Sequence, residues 1–345
     1  MSYQLSILDQ SPVFPGTTAS HALQKTVHLA QKAEEWGYSR FWVSEHHHSD
    51  QVAGSSPEVL ISYLLARTNT IRVGSGGVML QHYSPYKVAE NFHVLSTLAP
   101  GRVDLGIGKA PGGLPLSTKA LQFGTVTNRH DFREKISLLR KIIENSVEDD
   151  HPLAGIQATP IPHEKPEIFL LGASVNSAEL AASLGISFVF AKFINSDDRI
   201  LRDAAIAYRQ GFPNGKFIIS LAVIAAPTHA EAEELVGNRK IVKVHLQSGR
   251  SVTLQSLEQA EVFGKQAGEP FEITEQEADI IIGTPALVKE KLDQLHRNYQ
   301  VNEFILHTPI EKDEERIRSF QLLSPIYQAE EDIKQTPNKE YASKK

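Results

Sequence analysis

"LDQSPVFPG" (Leu8–Gly16) follows the first strand-like segment of the chain, "YQLSIL" (Tyr3–Leu8), and precedes a helical run, "HALQKTVHLAQKAEEWG" (His21–Gly37). What this turn lacks decides the fold. In an open, doubly wound α/β sheet, the turn between the first strand and its helix carries Gly-x-Gly-x-x-Gly, so that the backbone can approach a pyrophosphate. Here the turn holds Asp9, Gln10 and two prolines, with a glycine only at its end. The later glycine pairs fail the same test. Gly74 and Gly76 are followed by Met79, and Gly106 and Gly108 by Pro111.

Outward from that turn the chain alternates. Strand-like segments are "RFWVSE" (Arg40–Glu45), "TIRVGSGGVML" (Thr70–Leu80), "RVDLGIG" (Arg102–Gly108), "PEIFLLGAS" (Pro166–Ser174), "SFVFAKF" (Ser187–Phe193), "KFIISLAVIAA" (Lys216–Ala226) and "NEFILHTP" (Asn302–Pro309). Helical patterns separate them, with Ser20 as an expected N-cap and Gly37 and Gly185 as expected stops. Counting the first segment, there are eight apolar strands, each followed by a helix. That pattern predicts a parallel sheet closed as a (β/α)8 TIM barrel, with insertions after strands four and seven. The insertions are the polar, glycine-rich Lys109–Asn128 and a long stretch from His229 to Asp279, which reads as mostly helical. A single barrel domain over residues 1–331 and a polar C-terminal tail over 332–345 are expected.

Composition narrows the function. The chain has 345 residues, 41% apolar and 22% charged, which is ample for a soluble core. The net charge of −6 and the lack of a basic patch give no support for a nucleic-acid role. There is no cysteine, so disulfides, thiolate metal sites and cysteine nucleophiles are excluded. "MSYQLSILDQSP" (Met1–Pro12) reads as a first strand and not as a signal peptide. No apolar run is long enough to span a membrane. A cytoplasmic protein is expected.

In a barrel of this kind the chemistry sits at the C-terminal ends of the strands. That rule selects Asp9–Gln10, Glu45–His48, Gly76–Gly77, Gly108–Lys109, Gly172–Ser177, Lys192 and His307. "SEHHH" (Ser44–His48) can be an acid–base centre, a metal site or a wet loop. Neighbouring histidines on an extended chain point to opposite faces and do not converge on a metal, so acid–base work ranks first and no metal site is assigned. Glu45 can orient a ring or touch a ligand. "VGSGGVML" (Val73–Leu80) marks either a bulge or a place where a flat ring approaches the backbone. In "LLGASVNSAELAA" (Leu170–Ala182), Ser174 or Asn176 caps a helix. The free N–H groups there, with Ser174 and Ser177, can also hold an anion. Lys109 is either a solvated side chain or the counter-charge of that anion. A ring slot, an anion site and a histidine on one rim suggest a flavin-type nucleotide.

These residues carry a resemblance. "GYSRFWVSEHH", "TIRVGSGGVML", "SPYKVAENFHVLSTLAPGRVDLGIGKAPGG", "LLGASVNSAELAASLG" and "IIGTPALVKEKLDQL" together, in this order and spacing over nearly the whole chain, resemble the bacterial luciferase-like monooxygenases. The resemblance implies a (β/α)8 barrel that binds FMN, or a deazaflavin in some branches, and works as a homodimer. It implies that His46 is catalytic, with Glu45 beside it. It implies that Gly76 and Gly77 are joined by a non-proline cis peptide under the flavin. It also implies that Gly108 and Lys109 flank the ring and phosphate, and that Ala173, Ser174 and Ser177 form the phosphate loop. The expected activity is oxygenation of a small organic substrate by O2, with FMN reduced by a separate flavin reductase. The alternatives are a deazaflavin- or FMN-dependent reductase and a non-catalytic FMN-binding protein; a metal-dependent hydrolase built on the histidine run ranks behind both. Gly108 stands where the light-emitting chains have a reactive thiol, and the loop after strand seven differs from their lid. Light emission and long-chain aldehyde use are therefore not carried over.

Overall fold

The computed structural model of the protein describes residues 2–124, 131–237, 239–254 and 256–329. The expected tail over 332–345 and the end of the first insertion lie outside them. The chain begins β1 (Gln4–Asp9), α1 (Ala19–Glu35), β2 (Arg40–Val43), α2 (Pro57–Arg67), β3 (Arg72–Met79), α3 (Pro85–Leu98) and β4 (Val103–Gly108). The first insertion holds α4 (Pro115–Leu121) and leads into α5 (Phe132–Glu144). Then come β5 (Glu167–Gly172), α6 (Val175–Leu184), β6 (Ser187–Ala191), α7 (Asp198–Gly211) and β7 (Phe217–Ala225). The second insertion contains α8 (His229–Val236), β8 (Lys240–Leu246), β9 (Ser251–Leu254), α9 (Leu257–Ala267), β10 (Phe271–Glu277) and β11 (Ile280–Gly283). The chain returns through α10 (Pro285–Tyr299), β12 (Glu303–His307) and α11 (Asp313–Leu323).

Strands β1 to β7 pair in sequence, all parallel, and β12 closes the ring between β7 and β1. This is the predicted eight-stranded barrel. Its strands are apolar on both faces because both are covered. All nine residues of β7 are buried. Ile7, Phe41 and Val43 face the helices. The alternate positions Leu8, Trp42, Phe169, Val189, Ile218 and Ile305 form a second cluster inside the barrel. At the N-terminal end of the strands the interior is ionic. Arg40 joins Glu303, Asp104 and Glu167, and Trp42 donates to Asp104.

The second insertion departs from the helical expectation. β8, β9 and β10 form a separate antiparallel sheet, with Val242, Val244 and Leu246 packed on Ala260 and Phe263 of α9. Apolar residues alternate along β8, which is a strand period. β11 adds a further parallel strand, pairing with β7 beyond the point where β6 ends. Helix α9, packed on this sheet, reaches the first insertion, where Gln266 Oε1 accepts from the Leu116 amide at 3.0 Å. A smaller difference is at α1, where Thr18 and not Ser20 caps the helix, accepting from the His21 amide.

Candidate active site

β2 ends at Val43, but the alternation of side chains continues past it. Glu45 and His47 turn to one side and His46 to the other. Glu45 is 1% exposed, and its carboxylate accepts from the Met79 amide at 3.0 Å, the Tyr83 hydroxyl at 2.7 Å and His47 Nε2 at 2.7 Å. Three donors on its two oxygens hold the carboxylate in one orientation. It fastens β2 to β3 and to the segment after it. His47 ties down the first insertion, donating its backbone N–H to Gly112 O at 2.7 Å. His48 is exposed, with φ +51°.

His46 faces the barrel mouth. Its Nδ1 lies 3.1 Å from Ser44 Oγ, and its amide donates to Gly54 O. Burial pushes the imidazole down to about 4, with His47 adding to the shift and Glu45 opposing it. His307, at the end of β12, is also pushed down to about 4 by burial, helped by Arg316; its field includes His46. Both rings are therefore neutral near pH 7 and able to accept a proton.

Their burial has a consequence for stability. Unfolded, each ring takes up a proton near 6.5; folded, only near about 4. Between those values the unfolded chain holds more protons, so stability falls as the pH drops through that window. The melting temperature is expected to fall between pH 6.5 and 5, before most carboxylates titrate. The fall should be smaller in a His46→Gln/His307→Gln variant. A melting temperature that is flat or rises on acidification would contradict the burial of these rings in neutral form.

The mouth is an open cavity of about 2590 Å³. A single-ligand pocket is about 300–1,000 Å³, so this one has room for two ligands together. It brings together His46, Gly76, Lys109, Ala173 and Ser174 of the residues selected from sequence. Glu45, Gly77, Gly108 and Ser177 do not line it. Glu45 is buried behind His47. A Cβ on Gly77 would meet Gly106 O at 2.7 Å, and one on Gly108 would meet Met79 Sδ at 3.3 Å. Ser177 stands behind Ser174, its hydroxyl 3.0 Å away and its amide donating to Ser174 Oγ. Lys192 is engaged elsewhere, bonded to Asp279 and 3.3 Å from Asp198. The Gly76–Gly77 peptide is cis, and the β3–β4 register shifts between Ser75 and Val78, so the bulge read from the glycines is present.

The residues present suit a flat nucleotide with a phosphate. Leu8, Met79, Phe193 and Ala222 give the mouth apolar wall, and Gly76 presents bare backbone. A side chain there would collide with Leu8 at 2.8 Å and Trp42 at 3.2 Å, so the wall at this point is main chain. At the start of α6, Ser174 caps the helix, and the first-turn amides lack acceptors within it. Lys109 is exposed, makes no ion pair among the described residues, and lies 6.0 Å from the Phe132 ring centre. Among the described residues no group of three His, Asp or Glu side chains is placed to hold a metal ion, and no helix is long and apolar enough to cross a membrane. Tyr83 was not selected from sequence. It stands 38 positions from Glu45, and only the fold brings the two together. Arg239, on the mouth wall, was missed because it lies in the insertion read as helical.

A barrel with this mouth belongs to a known class of enzyme. The model of the luciferase-like monooxygenase family matches residues 1–300, and the chain is a member of that family. It is 50% identical over 324 residues to N-acetyl-S-alkylcysteine monooxygenase of Bacillus subtilis, covering 93% of this chain and 97% of that one. It is 32% identical over 328 residues to a luciferase-like monooxygenase of Escherichia coli K12, covering 93% and 96%. The solved structure of apo-MsnO8 superposes with a TM-score of 0.75 at 32% identity, covering 94% of this chain and 98% of that one.

Proposed function

We propose that this enzyme holds reduced FMN in the barrel mouth and oxygenates a small thioether of the N-acetyl-S-alkylcysteine type. The observation that carries the cofactor reading is the meeting of His46, the Gly76 backbone, Lys109 and Ser174 in one cavity large enough for two ligands. The substrate class comes from the Bacillus subtilis relative, which shares half its residues with this chain over nearly its full length.

Bound reduced FMN would supply the two electrons that leave one atom of O2 in the product and the other in water. The chain supplies the rest. Ser174 and the first-turn amides of α6 would bind the phosphate, with Ser177 holding Ser174 in place from behind and Lys109 as the counter-charge. Lysine gives charge there without the planar fork of arginine. The Gly76 backbone would flank the ring, with the close packing of Gly77 on Gly106 and of Gly108 on Met79 holding that wall in place. Neutral His46 would accept a proton at an imidazole nitrogen and return it as the reaction proceeds. Glu45 would act by holding His47 and the first insertion in place. The β8–β10 sheet would narrow the mouth and keep water from the reacting centre.

The reduced cofactor would come from a separate flavin reductase, in the cytoplasm. The test is product analysis with purified enzyme, FMN, a reductase and N-acetyl-S-methylcysteine under isotopically labelled O2. One labelled oxygen atom in the product, and none without the reductase, is the expected result. Unlabelled product, or none, would overturn the reading.

A homodimer is part of the same proposal. Helices α2 and α3 leave Val59, Tyr63, Val94 and Leu98 exposed, Val59 at 68% and Leu98 at 70%. Such a stripe favours a second copy of the chain. Light scattering should give twice the 38.2 kDa chain mass, and Leu98→Glu should shift the protein toward monomer. A monomeric wild type would contradict it.

A further inference from the structure

The corner of the mouth at the ends of β1 and β12 has polar groups left over. Asp9 Oδ2, His307 Nδ1, Thr308 Oγ1 and Arg239 Nε are buried and have no hydrogen-bond partner. Arg316 is already committed, donating to Asp9 Oδ1 at 2.7 Å and to Thr308 O at 3.2 Å. Arg239 is only partly so: its Nη2 donates to the exposed Glu311 at a long 3.5 Å, and its Nε has no acceptor. Arg239 and His307 both line the mouth, and the charge of Arg239 reaches the His307 ring. Lys109, Lys240, Lys312 and Arg318 also line the mouth but are exposed, whereas Arg239 and Lys243 are half-buried, and of these two only Arg239 has a buried N–H with no acceptor. A half-buried guanidinium with an unused N–H, beside a neutral histidine, is short of an acceptor. A carboxylate fits that need, since its two oxygens match the guanidinium fork.

We propose that Arg239 is the specificity-determining residue for substrate, binding the free carboxylate of an N-acyl thioether amino acid at the corner it shares with His307 and Thr308. This rests on the substrate class proposed above. It places the carboxylate at the β12 corner, two strands around the barrel from His46, with the thioether in the mouth beside that ring. Arg239 touches the substrate and takes no part in proton transfer.

The test is equilibrium binding of two probes, N-acetyl-S-methylcysteine and its uncharged carboxamide, to the full chain by calorimetry. Wild type should bind the acid about 10- to 100-fold more tightly than the amide, the worth of a hydrogen-bonded charge. Arg239→Gln should bind both equally, at the affinity of the amide. Arg239→Lys should keep part of the preference. Matching melting temperatures would show that the variants fold. No binding of the acid, no preference in wild type, or a preference that persists in Arg239→Gln would overturn the assignment. The two proposals fail separately. Oxygenation of an uncharged thioether without acid binding would spare the monooxygenase reading and overturn Arg239. Selective acid binding without FMN binding would do the reverse.

Discussion

Replacing His46 by alanine should lower oxygenation about 100- to 10,000-fold, the range of a lost general acid–base group, while FMN binding persists. The ring is suited to the task by three features. It lines the mouth. It is held by Ser44 Oγ at one nitrogen, 3.1 Å away. Burial keeps it neutral near pH 7, with its proton affinity pushed down to about 4. The groups proposed to bind the phosphate, at the start of α6 and at Lys109, follow β5 and β4 and not β2, so FMN affinity measured by fluorescence should hardly change. His46→Gln, which keeps a hydrogen-bonding side chain without the base, should be nearly as slow. Added imidazole should restore part of the alanine variant's rate. Turnover unchanged in both variants would remove His46 from the mechanism.

Arg40→Met should destabilise the fold by about 3–5 kcal/mol, the usual result of removing one partner from a buried ionic network. Arg40 is 3% exposed, and its Nε lies 3.0 Å from both oxygens of Glu303. Nη1 reaches Asp104 at 2.9 Å and Glu167 at 3.1 Å. Asp104 and Glu303 are 0% and 1% exposed. Without Arg40, Glu303 keeps its bond from Ser6, and Asp104 keeps Arg72 and Trp42. That leaves Glu303 as a buried charge with no cation. Adding Glu303→Gln should therefore recover part of the loss. Urea denaturation of the two variants measures both. A loss below about 1 kcal/mol, the size of an exposed pair, would show that water enters this end of the barrel.

Much of the fold was legible because barrel strands are buried on both faces. Continuous apolar runs such as "FIISLAVIA" (Phe217–Ala225) have few other readings. The β8–β10 sheet was not legible. β10, "FEITEQE", has only Ile273 and Gln276 partly buried, and its glutamates favour helix over strand. Its pairing with β8 makes it a strand. At the site, the strand-end rule brought His46, Gly76, Lys109, Ala173 and Ser174 onto one cavity from sequence alone. The supporting contacts were hidden. Glu45 meets Tyr83 across 38 positions, and Asp9 meets Arg316 across 307. No local pattern encodes such pairs. Only barrel closure brings the two ends of the chain together.

The most direct test is anaerobic titration of the purified protein with FMNH2, followed by an oxygen pulse in a stopped-flow spectrometer. Saturable binding should appear, and reoxidation should pass through a slow phase whose absorbance is neither that of reduced nor that of oxidised FMN. Failure to bind FMNH2, or reoxidation at the rate of the free cofactor, would contradict the account and put deazaflavin-dependent reduction or non-catalytic FMN binding in its place.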